Sequence, residues 1–348
     1  MKALERAWYT GAKWPLLLAP LEILYRVLAA RDQARKKALQ QSLPVPVLVI
    51  GNINVGGTGK SPVVALLCRE LKRLGWHPGI ISRGYGGQAG QKGDSPVAVT
   101  VESDPALVGD EPVMLAMQTQ CPVVVDQNRF RAAEALLTPA FFQGAFAGKT
   151  PCNLIISDDG LQHLSLPRDI EWVVVDAKRG LGNGHCLPVG PLRESADRLQ
   201  QVDLVLANGA DRALAVGEAK AQPMALVPRY WRNLKTGQTF TAQQPSFDTH
   251  KEKTIAVAGI GHPERFFQTL DGMGFRFERR PLDDHHSFTA HDLPDDQLIL
   301  MTAKDGVKCQ RWASEKHWVL DVEAEINPDI ILKLHHQLLD ILKRKDHG

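Results

Sequence analysis

The 348-residue chain lacks most of the features that place a protein quickly. Its five cysteines (Cys68, Cys121, Cys152, Cys186 and Cys309) are scattered, odd in number and include no C-x-x-C pair. That speaks against a disulfide framework and against a structural zinc site, and favours a reducing compartment. Opposite charges nearly cancel, 41 Lys and Arg against 39 Asp and Glu, so there is no basic footprint for nucleic acid. No internal repeat, no low-complexity tract and no sign of a dedicated protein partner is present. A long hydrophobic run is missing as well. The most apolar stretch, WPLLLAPLEILYRVLAA at 14–30, is interrupted by Pro15, Pro20, Glu22 and Arg26, too short and broken for a bilayer span. It also lacks the small-residue cleavage motif of a signal peptide.

What is present suits a soluble globular chain of roughly two domains, 44% hydrophobic and 23% charged. Trp14, Leu17, Leu18, Leu21, Leu24, Tyr25 and Leu28 recur at helical spacing, and Arg31, Arg35, Lys36 and Lys37 follow. Two readings are open: a helix lying in a membrane interface with its cations near the headgroups, or an amphipathic helix packed on the protein's own core. From about residue 44, short apolar runs alternate with helical patterns. Strands are predicted at 46–50, 79–82, 123–125, 154–157, 172–175 and 203–207, which implies a parallel α/β sheet buried on both faces. Residues 225–245 read as a hairpin turning at Lys235-Thr236-Gly237. Beyond it the alternation resumes, with strands at 254–258, 275–279, 298–302 and 317–321 and a last helix over 328–343. The expected organisation is an N-terminal helix (1–40), a core domain (41–225), a hairpin linker (226–250) and a smaller α/β domain (251–348).

Several segments carry chemistry. VLVIGNINVGGTGKSPVV, 48–65, runs from a strand through a glycine-rich turn into a helix, the context of a phosphate-binding loop. In that reading Asn54, Val55, Gly56, Gly57, Thr58, Gly59, Lys60 and Ser61 bind nucleotide: the glycines let N–H groups face phosphate, Lys60 contacts the β/γ-phosphates and Ser61 ligates Mg²⁺. The strict pattern wants glycine where Asn54 stands, and asparagine tolerates the left-handed backbone expected there. NLIISDDG, 153–160, ends a strand in Asp158 and Asp159, placing acid for a metal at the edge where such sheets bind ligands, with Gln162 and His163 just beyond. A capped strand-end turn is the plainer alternative. VGDEP places Asp110 and Glu111 ahead of a helical run, which an acidic first turn also explains. Arg83 in ISRGYGG and Arg193-Glu194 in LPVGPLRE occupy glycine- or proline-rich loops. PLDDHHSF, with Asp283, Asp284, His285 and His286, matches no standard zinc spacing, and Lys304, Asp305 and Lys308 in TAKDGVK are ambiguous alone.

Taken in order, GNINVGGTGKSP, SRGYGG, GDEP, SDDGLQH, LPVGPLRE, DHHSF and AKDGVK resemble the tetraacyldisaccharide 4′-kinases of lipid A biosynthesis over about residues 10 to 310. Members of that family carry a non-glycine residue at the first loop position, so Asn54 conforms. Leu161 and Val189, where phenylalanine and alanine are common, are mild departures. The resemblance implies a P-loop NTPase-type parallel sheet domain, a smaller α/β domain on a two-stranded linker, and an amphipathic membrane-associated helix. It implies transfer of the γ-phosphate of ATP, with Mg²⁺, to the 4′-hydroxyl of an acylated glucosamine disaccharide 1-phosphate lipid, giving lipid IVA. It also implies a peripheral or monotopic place on the cytoplasmic face of a Gram-negative inner membrane, favouring the interfacial reading of the N-terminal helix.

By the same resemblance Asp110 takes the hydroxyl proton, His285 orients it or shares the proton, Glu111 and Ser61 hold Mg²⁺, and Asp158 and Asp159 assist. Lys60 offsets phosphate charge. Arg83, Gln162, His163, Arg193 and Glu194 line the sugar and phosphate pocket, with Arg129 a weaker candidate. Two rival classes fit less well. Partitioning-type switch ATPases carry lysine where Val55 stands, and GTPases show an N-K-x-D motif that is absent here. A small-molecule synthetase gives no reason for the N-terminal apolar face.

Overall fold

A computed structural model describes residues 2–88, 95–284 and 286–346 of the chain. Its centre is Val47–Gly51, fully buried and flanked by the parallel strands Leu154–Asp158 and Ile170–Asp176. Beyond the first neighbour lie Pro78–Ser82, Val123–Val125 and an antiparallel edge strand, Val97–Val99. Beyond the second lie Leu204–Asn208 and the long strand Ala219–Asn233. Val, Ile and Leu fill these strands because helices cover both faces, which leaves no solvent side for a polar alternation.

Ala219–Asn233 joins two halves of one sheet. Its start runs parallel to Leu204–Asn208, while from Ala225 it pairs antiparallel with His317–Glu325. Leu298–Thr302, Thr254–Ala258 and Glu278–Pro281 continue outward, all parallel to His317–Glu325. Among the described residues the sheet has 14 strands and is mostly parallel. The expected hairpin forms, Arg232 opposite Thr239. The strand expected at 275–279 lies instead at Glu278–Pro281: Phe275 and Phe277 leave the ladder to pack their rings on Trp231 and Phe267. The last helix, Pro328–Asp346, lies on the first half of the chain, where Trp76 donates to His335 at 3.0 Å.

At the N-terminus a 3₁₀ turn, Trp14–Leu18, leads into a helix, Ala19–Ala38. Among the described residues no helix is long and apolar enough to cross a membrane.

Candidate functional site

Chain order among the parallel strands is 47–51, 78–82, 123–125, 154–158, then 170–176 on the far side of the first. The direction of winding therefore reverses around Val47–Gly51, and sheets of this kind open a crevice at the carboxyl ends of the strands there. The glycine-rich turn 52–59 emerges at that point and feeds the helix Lys60–Arg73. Gly59 caps that helix at φ 100°, and a Cβ there would stand 2.6 Å from Asn208 Nδ2, so both backbone angle and space demand glycine. Asn208 in turn donates to the Thr58 carbonyl at 2.8 Å.

Asn54 does not adopt the expected left-handed backbone. It bridges to Leu192, its side chain donates to the Gly180 carbonyl at 3.0 Å, and the Val55 N–H donates to the Pro191 carbonyl at 2.9 Å. Asparagine here works as a staple between loops. Among the described residues no backbone carbonyl accepts from the N–H groups of Gly56, Gly57, Thr58 or Gly59. The left-handed position belongs to Asp159, φ 49°, a conformation costing about 1 kcal/mol for most L-residues and tolerated best by Asn and Asp.

That backbone aims Asp159 at cations. Its carboxylate lies 3.4 Å from Lys60 Nζ and 3.3 Å from Arg193 Nη1. Burial pushes the group upward, yet Lys60, Arg193 and Arg129 outweigh it and bring it down to about 2. The neighbouring Asp158 behaves oppositely: fully buried, facing Glu111 and Asp159, it is pushed up to about 7 despite Lys60 and Arg129. Its Oδ1 has no hydrogen-bond partner, while its carbonyl accepts from Arg129 at 2.9 Å. Arg129 is itself buried, which lowers it to about 10. Two adjacent carboxylates are thus separated in character by environment alone.

Around them Gln162 donates to Glu194 Oε1 at 2.7 Å and to the Asn52 carbonyl at 3.1 Å, while Arg193 reaches Gln162 Oε1 at 3.3 Å. Arg198 Nε supports Glu194 at 3.4 Å, and Tyr25, from the N-terminal helix, donates to the Arg193 carbonyl at 2.8 Å. His163, lowered to about 3 by burial and by Arg129 and Arg83, is neutral at physiological pH. Arg83 itself is exposed at the end of Pro78–Ser82.

Asp110 and Glu111 open the helix Asp110–Thr119 itself and do not sit in a turn ahead of it; Asp110 is 4% exposed. The second half of the chain meets them. Lys304 Nζ lies 3.2 Å from both Glu111 and Asp284, and Lys308 Nζ lies 3.9 Å from Asp110 and 2.9 Å from the buried Asp305. Burial opposes the charge of Lys304, but Glu111, Asp110 and Asp284 hold it above the ordinary lysine range. Farther along, Arg265 pairs with Asp176 at 2.7 Å, and a Cβ on Gly261 would come within 3.7 Å of the Gly57 nitrogen. The strand ends of the two halves therefore face each other. His285 lies outside the described residues; its neighbour His286 contacts Asp292 at 3.5 Å.

Of the residues singled out in the sequence, Lys60, Asp159, Gln162, Arg193 and Glu194 join one network with Asp158 buried beside it, and Asp110 with Glu111 joins a second with Lys304 and Lys308. Ser61 sits in the first turn of the helix beside Lys60. Sequence reasoning passed over Asp176, Arg179 and Asn208. The available signal was position: Asp176 and Asn208 end parallel strands, and Arg179 starts a glycine-rich loop after one.

An open, mostly parallel sheet with opposed acid and cation networks at its carboxyl edge defines a ligand-handling α/β protein. A family model described as tetraacyldisaccharide-1-P 4′-kinase matches residues 14–341, and the chain belongs to that family. A tetraacyldisaccharide 4′-kinase of Methylobacillus flagellatus is 43% identical, covering 98% of this chain and 97% of its own. The enzyme so named in Alkalilimnicola ehrlichii is 46% identical over 89% and 88%. The solved structure of LpxK from Aquifex aeolicus, in complex with ATP, superposes with a TM-score of 0.73 at 22% identity, covering 94% of this chain and 99% of that one, which shows the shared fold.

Proposed function

We propose that the chain is an ATP-dependent kinase that phosphorylates the 4′-hydroxyl of an acylated glucosamine disaccharide 1-phosphate, the product being lipid IVA. The observation that carries this reading, beyond family membership, is the pairing of Lys60 with Asp159 where the glycine turn meets the end of Leu154–Asp158. The turn acts as a phosphate-binding loop, its N–H groups at Gly56 to Gly59 receiving phosphate oxygens while Lys60 leaves Asp159 for the β/γ-phosphates.

The donor set suits magnesium. Magnesium keeps several waters and phosphate ligands and takes only one or two carboxylates, and the buried Asp158 Oδ1 without a hydrogen-bond partner is such a ligand. Asp158, with its partnerless buried oxygen, Glu111 and Ser61 would hold it, with Asp159 nearby. When bound it neutralises charge on the β/γ oxygens.

The chain's own groups do the rest. Asp110 accepts the proton of the 4′-hydroxyl as that oxygen bonds to the γ-phosphorus; the bond from phosphorus to the β–γ bridging oxygen breaks and ADP leaves. His285 orients Asp110 or shares its proton. Lys304 and Lys308 keep Glu111 and Asp110 in place from the second half. Gln162, His163, Arg193, Glu194, Arg83 and Arg129 line the sugar and phosphate pocket. Residues 41–225 and 251–348 act as two domains that close on the hairpin linker 226–250, completing the site.

The acceptor sits in a bilayer, so the enzyme must come to it. Trp14, Leu16, Leu17, Leu21, Ile23, Leu24, Val27 and Leu28 are all exposed, Leu17 by 83%. Most being about half exposed, each such side chain stands to gain roughly 1 kcal/mol or more on burial, about half the full-burial value. We assign this face to the cytoplasmic leaflet of the inner membrane, as a peripheral or monotopic anchor. The test is phosphorus NMR of the lipid recovered after incubation with ATP and Mg²⁺: a new phosphomonoester coupled to the 4′ position supports the reading, and ADP formed with unchanged acceptor contradicts it.

A further inference from the structure

Arg179 is used by none of the steps above, yet its guanidinium stands over the glycine turn. Nη1 lies 3.2 Å from where a Cβ on Gly56 would be, and Gly56 sits at φ 101°, so a side chain at 56 would be strained and would also press on that cation. The loop bearing Arg179 is fixed to the turn. Asp176 Oδ1 accepts from the N–H groups of Lys178 and Arg179 at 2.9 and 3.0 Å, and the Gly180 carbonyl accepts from Asn54. Asp176 is also the partner of Arg265 from the second half.

The side chain is bedded on the N-terminal segment. Its Cζ lies 4.3 Å from the centre of the Tyr9 ring, a cation–π contact, and Nη2 lies 3.5 Å from Glu5 Oε1. Glu5 is 48% exposed, so solvent screens that ion pair and it competes only weakly for the guanidinium. Arg179 is only 17% exposed. A largely buried guanidinium, held over an aromatic ring at the edge of a glycine turn, suits the oxygens of a phosphate in charge and in its forked N–H donors.

We propose that Arg179 is a phosphate-binding residue of the transfer reaction, contacting the terminal phosphate oxygens of ATP, and that Tyr9 is its positioning residue. This rests on the reading of 52–61 as the nucleotide loop. It follows that the N-terminal segment, whose neighbouring apolar face meets the membrane, also sets the geometry of the nucleotide site.

The experiment measures competition of ATP, ADP and AMP against a fluorescent ATP analogue, on the full chain in detergent, alongside phosphoryl transfer and Tm. The variants are Arg179→Ala, Arg179→Lys, Tyr9→Phe, Tyr9→Ala and Lys60→Ala. Arg179→Ala should weaken ATP about tenfold to a hundredfold, the loss expected for one charge-assisted hydrogen bond, with ADP less affected and AMP unchanged. Arg179→Lys should recover part of this, Tyr9→Phe should match the parent, and Tyr9→Ala should show the same selectivity at smaller size. If alanine at 179 prevents folding, Arg179→Gln, which keeps the stem over Tyr9, carries the test. Equal weakening of all three nucleotides, or a lowered Tm accounting for the loss, would make Arg179 structural and overturn the proposal. Unchanged ATP affinity and transfer in Arg179→Ala, with both lost in Lys60→Ala, overturns it while the loop reading stands. If Lys60→Ala also leaves both unchanged, the loop reading itself fails and the proposal with it.

Discussion

At the carboxyl edge of the sheet Asp158 is 1% exposed and Asp110 4%, whereas on the N-terminal helix Leu17 is 83% exposed and Ile23 65%. One region buries carboxylates and the other exposes hydrocarbon, so each departs from the usual partition in the opposite direction. In the crevice, buried acids are tolerable because cations and a backbone donor lie close: Lys60 and Arg129 act on Asp158, and the Glu111 N–H and Lys308 on Asp110. On the helix, leucine and isoleucine turn half or more of their surface to solvent. The polar residues of that segment do the internal work instead, with Glu22 accepting from the Cys186 N–H at 2.8 Å and contacting His185 at 3.0 Å. Charge is gathered inward at the crevice, and apolar surface is turned outward on the N-terminal helix.

The comparison can be broken from either side. The largest effect belongs to Asp110→Ala, expected to lower the phosphoryl-transfer rate by about a hundredfold to ten-thousandfold, as loss of a general base does, with ATP affinity nearly intact. Single-turnover rates beside equilibrium binding separate the two, and loss of nucleotide binding would make Asp110 structural or a metal ligand. Next comes the outer face. Paired substitutions Leu17→Glu and Leu24→Glu should weaken vesicle binding by at least about tenfold, since each trades an inserted leucine for a charge. Flotation assays read that loss, while Tm should change little because both side chains are more than half exposed.

A smaller effect tests how dry the crevice is. His163 is lowered to about 3, below its unfolded value near 6.5, so the unfolded chain binds the extra proton and stability falls as pH drops from about 6.5 toward 3. Between pH 7 and about 5.5 the parent should lose about 1 kcal/mol more than His163→Gln. Parallel denaturation curves of the two proteins would show instead that His163 is wetter than its surroundings indicate. The smallest effect is expected at the Arg69–Glu323 pair, 2.6 Å apart on the side of the helix away from the crevice. Being partly exposed, it should contribute within about 1 kcal/mol, and Arg69→Ala should leave transfer unchanged.

Much of this was legible in the sequence because the signals are local. Apolar runs ending in Gly51, Asp158 and Asn208 mark buried parallel strands, and the glycine turn after the first of them marks the crevice. What sequence could not supply depends on contacts between distant loops. Asn54 was expected to take a left-handed backbone, but its bridge to Leu192, far along the chain, keeps it extended enough to pair, and Asp159 takes that conformation instead. Helical spacing gathered Tyr25 with the apolar face of the N-terminal segment, yet the Arg193 carbonyl draws its hydroxyl inward. For Arg179 position in a glycine-rich loop after a strand was the one local signal; its place over Gly56 requires Tyr9, Asp176 and Asn54 together.

The most direct test of the central claim is transfer of label from γ-phosphate-labelled ATP to an acylated disaccharide 1-phosphate embedded in vesicles, with the parent chain and Lys60→Ala side by side. The account predicts labelled lipid from the parent and none from the variant. Labelled free phosphate with no labelled lipid would contradict it, leaving a nucleotide-hydrolysing protein whose acidic loops and exposed helix serve some other partner.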